Sequence, residues 1–206
     1  LVMSYLLTID GPSGVGKTTL GSLLAKELES NFFSSGKLYR IIAKYLNDNP
    51  QENINDIFLS IDENLNITLN NILYEDSKLY TKVINLKSSE IAKLREIRKL
   101  VSDSLLLLSN NLKNGLIIEG RDMGTVVFPH ADLKIYLDAD IDIRSDRRLK
   151  QSNESETKSD LLKRDENDKN RSESPLKVPD DALYIDNTHM DMEDVLNIVR
   201  ESLKLL

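Results

Sequence analysis

The sequence predicts an α/β fold in which helices cover both faces of a parallel sheet. Short β-rich apolar runs alternate along the chain with segments whose apolar residues recur at helical spacing. This alternation is typical of parallel strands joined by crossover helices. In addition, the octapeptide GPSGVGKT at residues 11–18 stands between the first apolar run and the first helical segment. A glycine-rich loop is therefore expected at the turn from the first strand into the first helix.

The glycine-rich loop indicates a phosphate-binding loop, or P-loop. The run Tyr5–Ile9 before it reads as a buried strand, and Leu20 and Leu24 after it fall on one face of a helix. In such a loop the backbone N–H groups surround the phosphates of a nucleotide, the lysine neutralises them, and the threonine hydroxyl binds magnesium. We therefore expect a nucleoside triphosphate to bind at Gly11, Pro12, Ser13, Gly14, Val15, Gly16, Lys17, Thr18 and Thr19.

The composition bounds the partners that this chain can have. Its 206 residues fit one globular domain, and its net charge of −7 argues against a protein that coats nucleic acid or binds an anionic membrane. Neither nucleic acid nor a membrane is therefore expected as a partner. Any site for an anion must be a local cluster of arginine and lysine.

The absence of cysteine and the small number of histidines disfavour several other classes of site. The sequence contains no cysteine and only two histidines, so a disulfide framework, a thiolate or histidine metal site and a Ser-His hydrolase are poor interpretations. The N-terminal residues do not resemble a signal peptide. We expect a cytoplasmic protein.

The remaining elements follow from the same apolar patterns. Further strands are predicted at residues 31–34, 116–118, 133–137 and 182–185, and further helices at residues 38–46, 88–112, 141–151 and 195–206. The segment 88–112 is predicted as one continuous helix because Ile91, Leu94, Ile97 and Val101 share a face.

Two segments differ from this pattern. Residues 50–86 are rich in Asn, Asp and Glu and contain short β-like pieces at 67–69 and 72–74, which indicates a small inserted subdomain. Residues 152–174 are almost wholly polar, and by composition alone they would be a solvated helix pair or a loop.

Among P-loop proteins, the sequence favours an enzyme that transfers phosphate to a small acceptor. None of its eight glycines has Asp three residues before it, as a switch GTPase requires, and no apolar strand of an ABC-type or motor ATPase ends on adjacent acidic residues. Transfer between two anions needs arginines around both, and it needs a lid that excludes water. The chain offers both, because arginines surround the polar segment 152–174, which would serve as the lid.

Five motifs resemble those of the bacterial cytidylate kinases, which are nucleoside monophosphate kinases. They are TIDGPSGVGKT, SSGKLYR, EGRDMGTVVFP, KIYLDA and RDENDKNRSESPL, and they begin at residues 8, 34, 119, 134 and 164. The resemblance implies a single P-loop kinase domain with a five-stranded parallel sheet. Its core would comprise residues 1–49, 87–151 and 173–206, with a monophosphate-binding insertion at about 50–86 and a lid at about 152–172. The implied reaction is transfer of the γ-phosphoryl group of ATP to CMP or dCMP by a monomeric, Mg²⁺-dependent enzyme.

The resemblance also implies roles for individual residues. Lys17 would hold the ATP phosphates, and Thr18 would bind Mg²⁺ together with Glu119, the latter through water. The acceptor nucleotide would contact Ser35, Arg40, Ser89, Arg98, Arg121, Asp122, Asp168 and Arg171, with the phosphate at Arg40, Arg121 and Arg171, the ribose at Asp168 with Arg164, and the base at Ser89, Arg98 and Asp122. Arg144, Arg148 and Arg164 are candidates for a clamp on the γ-phosphoryl group.

The choice of Asp122 and Arg98 for the base agrees with the chemistry of cytosine. The exocyclic amine of cytosine donates to a carboxylate, whereas uracil has a carbonyl oxygen there that a carboxylate would repel. Ser89 and Arg98 are nine residues apart, about 2.5 turns of helix, so they do not share one face. A bend or loop at Ser88-Ser89 is therefore expected, and Ser89 is equally a candidate N-cap. Helix-surface ion pairing remains the alternative for Arg98, as a turn-stabilising role does for Asp122.

Three positions depart from the family pattern. Ser34 and Glu119 each stand where the family usually has Asp, and Leu79-Tyr80-Thr81 stands where Ile-Arg-Thr is usual, which removes a positive charge near the acceptor site. Two alternatives therefore stay open. One is a kinase for UMP or another small phosphorylated acceptor, and the other is a nucleotide-binding protein without turnover.

Overall fold

A computed structural model describes residues 5–74, 79–151 and 157–204, and these form two compact units. The first unit contains the described residues up to Phe33 and from Lys113 onward, and the second contains Ser34–Leu112. Within the described ranges, no helix has both the length and the apolar character that a membrane crossing requires.

The first unit is built on a five-stranded parallel sheet, as predicted. Its strands are β1 (Leu6–Asp10), β2 (Asn31–Ser34), β6 (Leu116–Glu119), β7 (Leu133–Asp138) and β8 (Leu183–Asp186), in the order β2-β6-β1-β7-β8. Strand β1 lies in the centre and pairs in parallel with both β6 and β7. The loop that follows β1 therefore lies at the carboxyl edge of the sheet, where α/β proteins bind their ligands.

Helices flank this sheet and close its hydrophobic core. They are α1 (Lys17–Glu27), α5 (Ile141–Gln151), α6 (Lys158–Asn170) and α7 (Met192–Leu203). Leu20 and Leu24 of α1 and Val195 of α7 are fully buried with the sheet residues Leu7 and Ile9. The apolar spacing that predicted these helices thus marks the faces that pack on the sheet.

The second unit combines helices with a small antiparallel sheet. Helix α2 (Ser35–Asp48) is followed by a short 3₁₀ turn at Ile54–Asp56 and by three strands: β3 (Leu59–Ile61), β4 (Ile67–Leu69) and β5 (Ile72–Leu73). Helices α3 (Lys82–Ile91) and α4 (Arg95–Asn111) complete it, with Leu38, Ile42, Ile97 and Leu105 fully buried. The β-like pieces predicted at 67–69 and 72–74 are confirmed as β4 and β5. Residues 75–78 of the predicted insertion lie outside the described residues, and its bounds stay a prediction.

The prediction of one helix over residues 88–112 was wrong. The helix ends at Ile91, and α4 begins at Arg95 after a turn in which Leu94 takes an extended backbone conformation (φ −82°, ψ 124°). Arg98 Nη1 donates to the carbonyl oxygen of Ala92 at 3.0 Å, which replaces a helical hydrogen bond lost at the break. The apolar spacing of Ile91, Leu94 and Ile97 continues through the turn, so periodicity alone did not reveal it.

The break also corrects the two interpretations of Ser89. The expected bend lies at residues 92–94 and not at Ser88-Ser89, so Ser89 is in the last turn of α3. Its hydroxyl donates to the carbonyl oxygen of Asn85 at 3.2 Å. The N-cap of α3 is Thr81, whose side chain accepts from the N–H of Ile84. Ser89 is therefore not an N-cap.

The polar segment predicted as a lid contains helix α6. Its N-terminus is closed by a capping box in which the side chains of Thr157 and Asp160 each accept from the backbone N–H of the other. Residues 152–156 of the predicted lid lie outside the described residues, so the lid bounds stay a prediction.

Candidate active site

The P-loop between β1 and α1 has the backbone conformation that its glycines permit. Gly11, Gly14 and Gly16 all have positive φ, and a Cβ on Gly11 would lie 2.1 Å from the carbonyl oxygen of Leu137. Any side chain at Gly11 would collide with β7. The loop therefore turns sharply at the end of β1 and leads into the N-terminus of α1, where an anion is favoured.

Lys17 is directed back onto the loop. Its Nζ donates to the carbonyl oxygens of Gly11 and Pro12 at 2.8 and 2.6 Å. Burial lowers the pKa of Lys17 well below its ordinary value, and the positive charge of Arg121 lowers it further, although Glu119 and Asp10 act in the opposite direction. An anion bound in the loop would add negative charge beside the ammonium group and so favour its protonated form.

Thr18 and Glu119 offer neighbouring oxygen atoms at the end of β6. The Thr18 hydroxyl donates to Oε1 of Glu119 at 2.8 Å, and the Glu119 carboxylate is 7% exposed. Mg²⁺ at phosphate sites usually takes one or two carboxylates together with phosphate oxygens and water. A hydroxyl and a carboxylate at this separation fit that type of donor set.

A chain of ion pairs, buried or half-buried, lies in the same unit as the P-loop. Arg121 Nε donates to Oδ2 of Asp168 at 2.9 Å, and Arg171 Nη1 donates to the other oxygen of Asp168 at 3.3 Å. Arg171 also lies 3.7 Å from Oδ1 of Asp122. The structure thus brings together four of the residues predicted to bind the acceptor, from the loop after β6 and the end of α6.

The opposite charges of this cluster stabilise the ionised forms of its members. Burial alone would raise the pKa of Asp168, but the positive charges of Arg121, Arg164 and Arg171 outweigh it and leave the pKa below its ordinary value. Burial would likewise lower the pKa of Arg121, whereas Asp168 and Asp165 raise it above the ordinary value. The cluster is therefore a set of charged groups that are neutralised by one another when no ligand is bound.

The loop that carries Arg121 and Asp122 is held by Asp10, which the sequence analysis did not single out. The Asp10 carboxylate accepts from the backbone N–H groups of Met123 and Gly124 at 2.9 and 2.7 Å. These two residues begin a π-helical turn at Met123–Val127. Because Asp10 directly precedes the P-loop, one carboxylate fixes the position of the Arg121–Asp122 loop relative to the P-loop.

Arg144 is buried and grips the P-loop together with Asp165. Arg144 Nη1 donates to Oδ2 of Asp165 at 2.5 Å and to the carbonyl oxygen of Ser13 at 3.1 Å, and the N–H of Ser13 donates to Oδ1 of Asp165 at 3.4 Å. With 7% exposure Arg144 is not a solvated surface charge. Arg148 and Arg164, the other candidates for the γ-phosphoryl clamp, are half-buried on α5 and α6.

Asn187 is a second supporting residue that sequence reasoning missed. It is 1% exposed, and its side-chain amide donates to the carbonyl oxygen of Val15 at 2.8 Å. Arg147 in turn donates to the Asn187 side-chain and main-chain oxygens. The only sequence signal was the position of Asn187 two residues after the predicted last strand, at the carboxyl edge of the sheet.

The remaining predicted acceptor residues lie in the second unit. Ser35 is the first residue of α2 and is buried. Arg40 Nε donates to Oδ1 of Asn85 at 3.0 Å, and Arg98 is 5% exposed with its guanidinium 5.7 Å from the ring centroid of Tyr39. Burial argues against the surface ion-pair interpretation of Arg98, and the nearby Asp103 on the same helix pairs with Lys99.

Comparison with known proteins gives consistent results. Residues 7–205 match the family model described as cytidylate kinase. The chain is 35% identical to the cytidylate kinase of Mycoplasmopsis synoviae, covering 96% of this chain and 97% of that protein, and 37% identical to the cytidylate kinase of Mycoplasma genitalium, covering 98% and 96%. Among solved structures, the shikimate kinase of Bacteroides thetaiotaomicron is similar with a TM-score of 0.52, 14% identity and coverage of 97% and 98%. At that identity the structural match shows the fold alone.

Proposed function

This chain belongs to the cytidylate kinase family, and we propose that it transfers the γ-phosphoryl group of ATP to CMP or dCMP, giving ADP with CDP or dCDP. The observation that carries the proposal is the cluster of Arg121, Asp122, Asp168 and Arg171, which are joined by ion pairs and largely removed from solvent. It offers a cytidylate its complementary groups: guanidinium groups for the phosphate, a carboxylate for the ribose hydroxyls and a carboxylate for the exocyclic amine of cytosine.

The acceptor would enter by exchanging partners within this cluster. In the described structure Asp168 accepts from both arginines. The phosphate of CMP is a stronger bidentate acceptor for guanidinium groups, and its arrival would leave Asp168 to accept from the ribose hydroxyls. The same two arginines would then hold the attacking phosphate oxygen towards ATP.

Catalysis would come from positioning and charge, since the acceptor phosphate is already ionised and needs no strong base. Lys17 and the backbone N–H groups of the P-loop would hold the ATP phosphates. Arg148 and Arg164 would add positive charge around the γ-phosphoryl group, and Arg144 would contribute its charge from the position fixed by Ser13 and Asp165.

We assign Mg²⁺ to Thr18 and Glu119. When bound there, the ion would neutralise charge that develops on the transferring phosphates. Thr18 would hold the ion through its hydroxyl, and Glu119 would hold it through an intervening water. We further propose that the enzyme acts as a monomer in the cytoplasm, where ATP and CMP are available, and light scattering of the purified protein tests the monomer.

A panel of acceptors tests the function. Purified protein with Mg·ATP is given CMP, dCMP, UMP, AMP and TMP in turn while ADP formation is followed, with Lys17→Ala as the inactive control. We expect the highest kcat/KM with CMP or dCMP. A higher value with UMP would replace the proposal by the neighbouring specificity, and ADP formation with none of the acceptors would indicate a nucleotide-binding protein without turnover.

A further inference from the structure

Arg40 is enclosed by three features of the second unit. Its Nε donates to Oδ1 of Asn85 at 3.0 Å, and its guanidinium carbon lies 4.8 Å from the ring centroid of Tyr80. A Cβ on Gly36 would lie 2.9 Å from Arg40 Nη1, so the absence of a side chain at Gly36 leaves space for that nitrogen above the first turn of α2. Asn85 thus binds one edge of the guanidinium group, Tyr80 lies against its face, and Gly36 leaves room for one of its terminal nitrogens.

Asn85 is the residue that connects Arg40 to helix α3. It is 6% exposed and stands in the first turn of α3, where its own N–H donates to the carbonyl oxygen of Thr81. Its side-chain oxygen accepts from Arg40, while its main-chain oxygen accepts from the hydroxyls of Ser88 and Ser89 at 2.8 and 3.2 Å. Asn85 therefore connects the residue assigned to the acceptor phosphate with one of those assigned to the base.

Tyr80 stands where the family pattern usually has arginine. A second guanidinium group at this place would repel Arg40, whereas the face of an aromatic ring attracts a cation. The ring also restricts rotation of the guanidinium plane. Because arginine recognises phosphate through a planar fork of donors, the orientation of that plane decides how well the phosphate is bound.

We propose that Asn85 and Tyr80 are positioning residues that fix the guanidinium plane of Arg40 for the phosphate of the acceptor nucleotide. The inference rests on the proposed function, because it takes Arg40 as a ligand of that phosphate. In this chain the two groups that orient Arg40 would be an amide and an aromatic ring, and both are neutral.

Binding of CMP and of cytidine, measured by calorimetry, tests the role of Asn85. Asn85→Ala removes the acceptor for Nε, and we expect CMP binding to weaken ~10-fold, as for the loss of one hydrogen bond to a charged group, with the affinity for cytidine unchanged. Asn85→Asp retains the acceptor oxygen but adds a negative charge beside Arg40. It should weaken CMP binding at least as much and again spare cytidine.

A second pair of variants tests Tyr80, which is 49% exposed, so that we expect its replacement to leave the unit folded. Tyr80→Leu should weaken CMP binding ~3-fold, the size expected for one cation–π contact that is partly solvated, and raise KM for CMP with little change in KM for ATP. Tyr80→Phe should behave as wild type. The matched control is Phe58→Leu, which removes another exposed aromatic ring of the same unit.

The outcomes separate failure of the inference from failure of the proposed function. If wild-type protein binds CMP no more tightly than cytidine, the proposed function and the inference are both wrong. The inference alone is overturned if wild type prefers CMP to cytidine and the variants Tyr80→Leu and Asn85→Ala retain this preference in full, because Arg40 then needs no positioning. Asn85→Ala is included only where thermal unfolding shows that it is folded. Equal weakening of CMP and cytidine by either variant would also overturn the inference, since it would indicate a general disturbance of the unit.

Discussion

In the first unit, single carboxylates accept hydrogen bonds that connect segments far apart in the sequence. Asp10 accepts from two backbone N–H groups of the loop after Gly120, Asp168 accepts from two arginines, and Asp165 accepts from Arg144 and from the N–H of Ser13. Asp10, Asp165 and Asp168 are all buried residues. A buried carboxylate keeps its charge only while such partners are present, so each site predicts a measurable response to substitution or pH.

Asp10 predicts a pH dependence of stability. Burial raises its pKa from 3.8 to about 6, although the hydrogen bonds from Gly124 and Met123 lower it. Between these two values the unfolded chain has released the proton while the folded protein still holds it, so the contribution of Asp10 to stability falls as pH rises. Asp10→Asn does not titrate. The free energy of unfolding of wild type minus that of the variant should therefore fall by up to about 3 kcal/mol between pH 4 and pH 7.

Urea unfolding of both proteins at several pH values measures this difference. A difference that stays constant from pH 4 to pH 7 would show that folded and unfolded chains release the Asp10 proton at the same pH, so that burial does not raise its pKa. The same samples provide a check on function, because Asn can accept only one of the two N–H bonds and the Arg121–Asp122 loop should be held less firmly.

Asp122 predicts the discrimination between bases. Asp122→Ala removes the acceptor for the exocyclic amine of cytosine, and we expect the ratio of kcat/KM for CMP to that for UMP to fall at least ~10-fold, as for the loss of one charged hydrogen bond. KM for ATP should change little. Asp122→Asn is the matched control, since it keeps the shape but can donate to the uracil carbonyl, and it should shift the ratio further towards UMP.

The alternative outcome has a clear structural meaning. Asp122 is also 3.7 Å from Arg171, so its loss could disturb the cluster as a whole. If both acceptors lose the same factor in Asp122→Ala, the residue acts on the structure of the loop and does not read the base.

At the scale of elements, helices α5 and α6 each provide a side chain that is hydrogen-bonded to the P-loop. Arg144 on α5 and Asp165 on α6 form a buried pair, and together they bind both the N–H and the carbonyl group of Ser13. This arrangement connects the segment that follows β7 and the predicted lid helix to the loop that binds phosphate. Changes in α6 are therefore expected to alter ATP binding.

A double-mutant cycle tests this connection. Arg144→Met or Asp165→Ala alone leaves one buried charge without its partner and should cost about 3–5 kcal/mol of stability, whereas the double variant should cost clearly less than the sum. Where the variants are folded, KM for ATP should rise while KM for CMP changes less. The control is Glu27→Ala, which breaks the exposed ion pair with Arg200 and should have little effect. Additive losses in the cycle would contradict the pairing.

The elements also show what sequence reasoning could and could not predict. The five core strands were predicted because each is a short β-rich apolar run, and the helix after the P-loop because its apolar residues recur on one face. The separation of α3 from α4 was not, because Ile91 and Ile97 keep the same spacing across a turn that Arg98 stabilises from the side. Similarly, the P-loop residues were read from a local motif, whereas Asp165 and Asn187 contact that loop across 152 and 172 residues of chain. No local pattern records contacts of that kind.

At the scale of the whole molecule, the net charge is negative, whereas the residues assigned to the nucleotide phosphates are positively charged. The chain has a net charge of −7, yet Lys17 and Arg171 are buried and Arg121 is half-buried in one unit, and Arg40 is buried in the other. The acidic surface therefore contributes little to the attraction of nucleotides, and affinity for them must come from these local cationic groups. Because such groups are desolvated, binding should depend less on ionic strength than binding to a basic surface would.

The most direct measurement of the central claim follows the phosphoryl group itself. ATP labelled in its γ-phosphoryl group is mixed with Mg²⁺, CMP and the purified protein, and the products are separated. We expect the label to appear in CDP, and to do so much faster than in UDP when UMP replaces CMP. Label released mainly as inorganic phosphate, or transferred to UMP faster than to CMP, would contradict this expectation.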